Sequence, residues 1–209
     1  MPLRGVVFDV GNVIVRWNPR TLYSKIFPDP AECDWFLETV CTMSWHKRHD
    51  DGVSFADNRA PLIAQYPDYE AAIVAWDERW WEMFSGTIPQ TVAAIEALRL
   101  RGVMVTGLTN MPTSKRDGTF AMSPVFGMMS DIVVSADVGL SKPDPRIFAL
   151  SAERARLTPQ ELLFVDDSAV NIAAAAACGF DVHHFDDPKM LWPALQRRGL
   201  LWAGGAPAR

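Results

Sequence analysis

The chain has 209 residues, 49% of them apolar, with a formal net charge of −5. That length and apolar content can bury the core of one α/β domain with a modest insertion, which excludes a disordered chain. Lys and Arg are scattered, which argues against a nucleic-acid partner, and no apolar run approaches the roughly 18–20 residues of a membrane span.

The first element is read from Val6-Val7-Phe8-Asp9-Val10-Gly11-Asn12-Val13-Ile14. A β-branched and aromatic run ends in a carboxylate and then a Gly-Asn turn. This predicts a buried strand over about Gly5–Asp9 that delivers Asp9 to the carboxyl edge of a sheet, where ligands sit in open α/β folds. Trp17-Asn18-Pro19 is a turn signal. Between Arg20 and Ser85 the patterns are helical and no strand is expected: Thr21–Phe27, Pro30–Met43, Ser54–Gln65 and Asp68–Phe84. In the last, Ile73, Trp76, Trp80 and Phe84 fall on one face, and the tryptophans read as core of this segment.

Strands resume after Gly86, at Val103–Thr109, Ile132–Ser135, Leu162–Asp166 and Asp181–Phe185. Helices are expected at Pro89–Arg101, Pro145–Arg156 and Ala169–Cys178. Asp144-Pro145 marks a helix start by its cap and its proline at the first helical position, and Thr158 with Glu161 has the spacing of a capping box at another. Such alternation predicts a doubly wound parallel sheet with helices on both faces. Residues 1–18 and 86–209 would form this Rossmann-like core. Residues 19–85 would be an all-helical cap inserted after the first strand, folding over its carboxyl edge. The Gly- and Ala-rich stretch Trp202–Arg209 is expected to fray. Cys33, Cys41 and Cys178 lack metal-like spacing, and a strand begins too early for a signal peptide. The expectation is reduced thiols in a cytoplasmic protein.

Four segments converge on the predicted edge: Phe8-Asp9-Val10-Gly11-Asn12, Thr109-Asn110, Ser141-Lys142-Pro143, and Asp166-Asp167-Ser168 with Asn171. Singly, each has an ordinary reading. Asp9 could shape a turn, Thr109 could be a β-branched strand residue, Lys142 could be solvated, and Asp166 or Asp167 could cap the next helix. Together, in this order and at strand ends, they resemble the four motifs of the haloacid dehalogenase superfamily over nearly the whole chain.

The resemblance implies the first and fourth core strands as neighbours, which would bring Asp9 beside Asp167. It implies Asp9 as the nucleophile of an aspartyl-phosphate mechanism, with Lys142 supplying counter-charge. Thr109 and the Asn110 amide would bind phosphate oxygens, and the Gly11-Asn12 turn would also contact the substrate. Mg²⁺ would be held by Asp9, the Gly11 carbonyl and the Asp166-Asp167 pair, Asp167 foremost. Asp166, Asn171 and Ser168 would steer the metal, its waters and Lys142.

One departure matters. Many phosphatases of this superfamily carry a second aspartate two residues after the nucleophile, where this chain has Gly11. The Asp-x-Gly-Asn opening resembles the subgroup that includes bacterial hexose 1-phosphate phosphatases. With no acid at Gly11, either the leaving group is good or another acid serves. Candidate donors from the cap are His46, His49, Asp50 and Asp51.

The leading expectation is a Mg²⁺-dependent phosphatase of a small phosphorylated metabolite. A metal-independent 2-haloacid dehalogenase is the second reading. Dehalogenases of that type carry serines where this chain has Asp166-Asp167, so the pair disfavours it. A non-catalytic binding protein is the third, and the retained Asp9, Thr109, Lys142 and Asp167 disfavour that.

Overall fold

In the computed structural model, which describes residues 2–202, the expected first strand is β1, Gly5–Phe8, buried along its whole length. Two short strands follow, β2 at Val15–Trp17 and β3 at Phe84–Thr87. The remaining strands are β4 at Met104–Thr109, β5 at Ile132–Val134, β6 at Leu162–Asp166 and β7 at Asp181–His184. Five of the seven form one parallel sheet in the order β5-β4-β1-β6-β7. β1 is central, paired with the second and fourth strands of that sheet in chain order. The carboxyl ends of β1, β4 and β6 therefore meet at one edge, carrying Asp9, Thr109 and Asp166 with them.

Alternation along β1 splits the core into two layers. Val6 and Phe8 pack with Val105, Leu163 and Val165 against Ala94, Ile95 and Leu98 of the helix Pro89–Leu100, and against Leu191 and Leu195 of Pro188–Arg197. Val7 faces the other way, with Leu162 and Phe164, onto Ile147, Phe148 and Ala152 of Pro145–Ala155 and Ala175 of Ala169–Ala177. Helices thus cover both faces, as expected for a doubly wound sheet.

Between β2 and β3 the chain is helical: Pro19–Ile26, Pro30–Trp35 running on as a π-helical stretch Phe36–Val40, Met43–Asp50, Phe55–Gln65 and Glu70–Glu78. It has its own apolar cluster, centred on Tyr23, Phe36, Ile73 and Trp76. β2 and β3 pair antiparallel at its stem.

The structure corrects several expected elements. The helix expected to reach Phe84 stops at Glu78, a 3₁₀ turn spans Trp80–Met83, and Phe84 opens β3 opposite Trp17. Pairing across the stem overrides the helical spacing of the aromatics, so a strand does begin before Ser85. The helix expected over Pro30–Met43 ends at Val40. Thr42 then caps a separate helix, Met43–Asp50, its hydroxyl accepting from the Trp45 N–H at 3.1 Å. The capping box at Thr158 exists, but it closes only the 3₁₀ turn Pro159–Glu161, because the apolar run of β6 starts at the next residue. A helix at Thr113–Ala121, after β4, had no clear apolar stripe to announce it. Apart from Trp202, the tail expected to fray lies outside the described residues. Among the described residues no helix is long and apolar enough to cross a membrane.

Candidate active site

Asp9 leaves β1 at the sheet edge, and its N–H donates to the Val165 carbonyl of β6 at 2.9 Å. Its Oδ1 accepts from the Val10 N–H at 2.7 Å, which fixes the carboxylate against its own backbone. Lys142 Nζ lies 2.8 Å from Asp9 Oδ1 and 2.7 Å from Asp166 Oδ2. All three are nearly dry, with Asp9 8%, Lys142 3% and Asp166 0% exposed. In such surroundings the ion pairs are strong only because both partners are present. Burial, with Asp166 and Asp167 nearby, pushes the Asp9 carboxyl well above the ordinary carboxylate range, and Lys142 opposes that rise. The two carboxylates hold the Lys142 ammonium charged against the cost of burial.

Lys142 sits in an irregular loop, so something else must hold it. Asn110 does so at two points. Its Oδ1 accepts from the Lys142 N–H at 2.8 Å, and its Nδ2 donates to the Lys142 carbonyl at 3.0 Å. The Asn110 side chain is therefore committed to positioning Lys142. Thr109, the last residue of β4, is buried at the cleft, and its hydroxyl makes only a long 3.4 Å bond to the Asn110 carbonyl.

Asp166 ends β6 with both oxygens engaged. Oδ1 accepts from the Ser168 N–H at 2.8 Å, and Asn171 Nδ2 lies 3.1 Å from each oxygen. The cap of the helix Ala169–Ala177 is Ser168, whose hydroxyl accepts from the Asn171 N–H. The reading of Asp166 or Asp167 as that cap is thus corrected: Asp166 still belongs to the strand, and Asp167 precedes the cap. Asp167 is exposed, and ligand oxygens of Asp9, Asp166 and Asp167 lie within 4.8 Å of one another. Asn12 holds the near side of this trio. It adopts a left-handed φ of 55° and accepts from the Trp17 N–H at 3.0 Å, and its side chain opposes the rise that burial causes in the Asp167 carboxyl. Asp167 opens onto an outer cleft with Asn12 and Arg16 rather than onto the inner one beside Asp9.

The inner cleft is a cavity of about 130 Å³. Its floor is the sheet edge, with Asp9, Gly11, Thr109, Lys142 and Asn171, and its roof includes Trp17, His46, Asp50 and Trp80. Gly11 has no neighbour within 4 Å along its missing Cβ, so no steric demand requires glycine there.

Of the two histidines expected as cap donors, the structure brings His46 to the cleft but not His49. His49 lines a separate cleft with Asp77 and Lys115. Burial holds His46 down at about 3 and His49 at about 4, so both rings are neutral at ordinary pH. Asp50, by contrast, is pushed up to about 7, first by burial and then by Asp51 and Asp9.

Sequence reasoning missed Ser135. The strand expected to include it stops at Val134. Its buried hydroxyl donates to the Asp50 carbonyl at 2.6 Å and accepts from the Met111 N–H at 3.0 Å, tying the helical segment to the sheet edge. The apolar wall of Trp17, Phe84 and Met111 was also missed, since such residues read as core. Only a buried serine next to a strand end hinted at the first, and nothing at the second.

Three carboxylates share a single ammonium here, so the site lacks positive charge. Clustered carboxylate oxygens are the donor set of a hard divalent cation such as Mg²⁺. Since Lys142, Ser168 and Asn171 occupy the Asp166 oxygens, Asp9 and Asp167 have the oxygens left to offer one.

A family model for haloacid dehalogenase-like hydrolases matches residues 3–179. The chain is 33% identical over 200 residues to phosphoglycolate phosphatase of Escherichia coli O157:H7, covering 85% of this chain and 79% of that one. It is also 33% identical over 109 residues to acyl-CoA dehydrogenase family member 10 of Mus musculus, a match that spans 52% of this chain but only 10% of that protein. Among solved structures, a HAD family enzyme from Bacteroides thetaiotaomicron in complex with magnesium and inorganic phosphate superposes with a TM-score of 0.67 at 20% identity, covering 91% of this chain and 99% of that one. A dehalogenase superposes equally well, with a TM-score of 0.67 at 17% identity over 92% of this chain and 97% of that one. These two likenesses establish the fold alone. The family model runs from the first strand to the helix behind Asp167, and a relative above 30% identity spans most of the chain, so the protein belongs to the haloacid dehalogenase-like hydrolase family.

Proposed function

We propose that this hydrolase is a Mg²⁺-dependent phosphatase of a small phosphorylated metabolite, a sugar phosphate in the first instance. The observation that carries the reading is the acidic trio of Asp9, Asp166 and Asp167 around one buried lysine. Residues 19–85 act as a cap on the core of 1–18 and 86–209, closing the small cavity over Asp9.

Asp9 is the nucleophile. One carboxylate oxygen attacks phosphorus, the bond to the leaving oxygen breaks, and water then cleaves the aspartyl-phosphate. Lys142 neutralises charge between nucleophile and phosphate, held in place by Asn110 and Asp166. The Thr109 hydroxyl, with no strong partner in the protein, and the Asn110 backbone N–H receive phosphate oxygens. Asp9, Asp167 and the Gly11 carbonyl would hold Mg²⁺, which would supply the missing positive charge at the phosphate. Asn171 and Ser168 act through Asp166 to set the place of Lys142.

The haloacid dehalogenase reading shares the fold, so the fold does not separate the two. The charges do. Asp166 and Asp167 beside Asp9 would repel an anionic haloacid, and that chemistry needs no metal. The test is a panel of phosphate esters with and without Mg²⁺, with a haloacid control and an Asp9→Asn variant. Phosphate release that requires both Mg²⁺ and Asp9 supports the reading. Halide release, or full activity in EDTA, overturns it.

A further inference from the structure

A departing alkoxide needs a proton, and Gly11 has none to give. Few groups lining the cleft can supply one. Asp9 is committed as nucleophile, Lys142 is held by two carboxylates, and the Thr109 hydroxyl is too weak an acid. Asp50 remains. It is buried, it lines the same cleft as Asp9, and its Oδ1 has no hydrogen-bond partner. Ser135 fixes its backbone by the 2.6 Å bond to its carbonyl.

Behind Asp50 runs a short chain of neutral groups. Asn58 Nδ2 donates to the Trp45 carbonyl at 2.9 Å, which identifies it as the amide nitrogen, and so it also donates to His49 Nε2 at 2.8 Å. The His49 proton therefore sits on Nδ1, facing His46 Nδ1 at 3.4 Å. The His46 proton is then left on Nε2, 3.5 Å from Asp50 Oδ1. At that spacing the N–H faces the carboxyl without a formed bond, placed to steady the carboxylate once its proton has left.

We propose that Asp50 is the acid–base group of this site, with His46 as its positioning residue. The proposal rests on the phosphatase reading above. In the first step Asp9 forms its bond to phosphorus, the phosphorus–oxygen bond to the leaving group breaks with its electrons going to oxygen, and Asp50 gives that oxygen its proton. In the second, Asp50 as carboxylate takes a proton from water as the water oxygen bonds to phosphorus. The bond to Asp9 breaks, phosphate leaves, and Asp50 is protonated again.

The groups facing Asp50 agree with this cycle. Lys47 and Asp51 lie on its own helix end, Lys142 and Asp9 come from the sheet edge, and His46 presents its N–H. Lys47 is taken up by Asp51 at 2.7 Å and Ser141 at 3.2 Å, so no free cation pins Asp50 in its charged form. Its elevated pKa makes both protonation states available near neutral pH.

The experiment uses the full chain with Mg²⁺, an alkyl phosphate and p-nitrophenyl phosphate. Asp50→Asn is expected to lose about 10²–10⁴-fold in turnover of the alkyl phosphate. With p-nitrophenyl phosphate, whose leaving group needs no proton, rapid mixing should show one nitrophenolate per site released at nearly the wild-type rate. Slow turnover should follow, because the phosphorylated Asp9 now lacks its base. The burst also counts folded sites. His46→Asn should leave the burst and shift the alkaline limb of the alkyl-phosphate profile to higher pH, because the charged Asp50 carboxylate loses the N–H that steadied it and holds its proton longer; an unmoved limb overturns the role of His46. Alkyl-phosphate turnover within threefold of wild type in Asp50→Asn, or the absence of a burst, overturns the assignment of Asp50. A wild-type chain that hydrolyses no phosphate ester overturns the phosphatase reading itself.

Discussion

Replacing Lys142 with methionine tests the central charge arrangement. The change keeps an apolar stem of similar length and removes the ammonium that lies 2.8 Å from Asp9 and 2.7 Å from Asp166. Breaking a buried pair by removing one partner costs about 3–5 kcal/mol, a large share of a total stability of about 5–15 kcal/mol. The folded variant has one escape, which is to take up a proton. Holding an ordinary carboxyl protonated costs about 1.4 kcal/mol for each pH unit above ~4, so about 6 kcal/mol at pH 8 but only about 1.5 kcal/mol at pH 5. Asp166 keeps its bonds from Ser168 and Asn171, so a single proton, on Asp9, suffices. The sign follows. Asp9 is already raised in the wild type, and without Lys142 it rises further. The folded variant then binds more protons than the unfolded chain, so its stability falls as pH rises. Urea unfolding in EDTA should give a loss of about 3–5 kcal/mol at pH 8 and under about 2 kcal/mol at pH 5. A loss that is equal at the two pH values, or below about 1 kcal/mol at pH 8, would refute the reasoning.

Asp167→Ala should raise the Mg²⁺ concentration needed for half-maximal activity about tenfold or more with little change in melting temperature, because Asp167 is exposed; Asp166→Ala should lower stability by about 3–5 kcal/mol instead, because Lys142 stays buried. Metal titrations and thermal melts separate the two, and equal effects on both readouts would count against this division of labour. Gly11→Asp meets no atom within 4 Å along the new Cβ, so it should fold normally. It should change alkyl-phosphate turnover little in the wild type and restore it about tenfold or more in Asp50→Asn; no recovery in the double variant would mean that the new carboxyl does not reach the leaving oxygen. Among the described residues the only Lys or Arg lining the inner cleft is Lys142, already taken by Asp9 and Asp166. A carboxylate on the leaving group would find no partner, so kcat/KM for 2-phosphoglycolate should lie about tenfold or more below that for a neutral alkyl phosphate of the same size. Steady-state comparison of the two decides it.

The middle of the sheet was legible because β1 and β6 are continuous apolar runs, which a doubly buried position explains, and because Asp9, Thr109 and Asp166 each stand at the end of a strand. The helical segment was legible in kind but not in detail. Phe84 fits a helical stripe with Ile73 and Trp76, yet cross-strand pairing with Trp17 decides its state, and no local pattern encodes a partner 67 residues away. The same limit hid the helix bearing His46 and Asp50. Thr42 was a usable cap signal, but the break before it falls at Cys41, which is buried in the segment's core. His46 and His49 were indistinguishable in sequence, three residues apart on one helix. Only the fold turns one toward Asp9 and the other toward Lys115.

The bond from Ser135 to the Asp50 carbonyl has a bearing on turnover as well as on architecture. Where substrate entry or phosphate release needs the cleft to widen, any motion that swings the helix Met43–Asp50 away must give up this bond. A net hydrogen bond is worth about 1 kcal/mol, which changes the open fraction about fivefold. Ser135 would then act as a latch whose strength sets a gate: tight enough to exclude bulk water during chemistry, loose enough to let product go. In enzymes whose product release limits the cycle, weakening such a latch speeds kcat while raising KM. On that footing one buried hydroxyl, remote from phosphorus, shares control of the rate with the residues that do the chemistry.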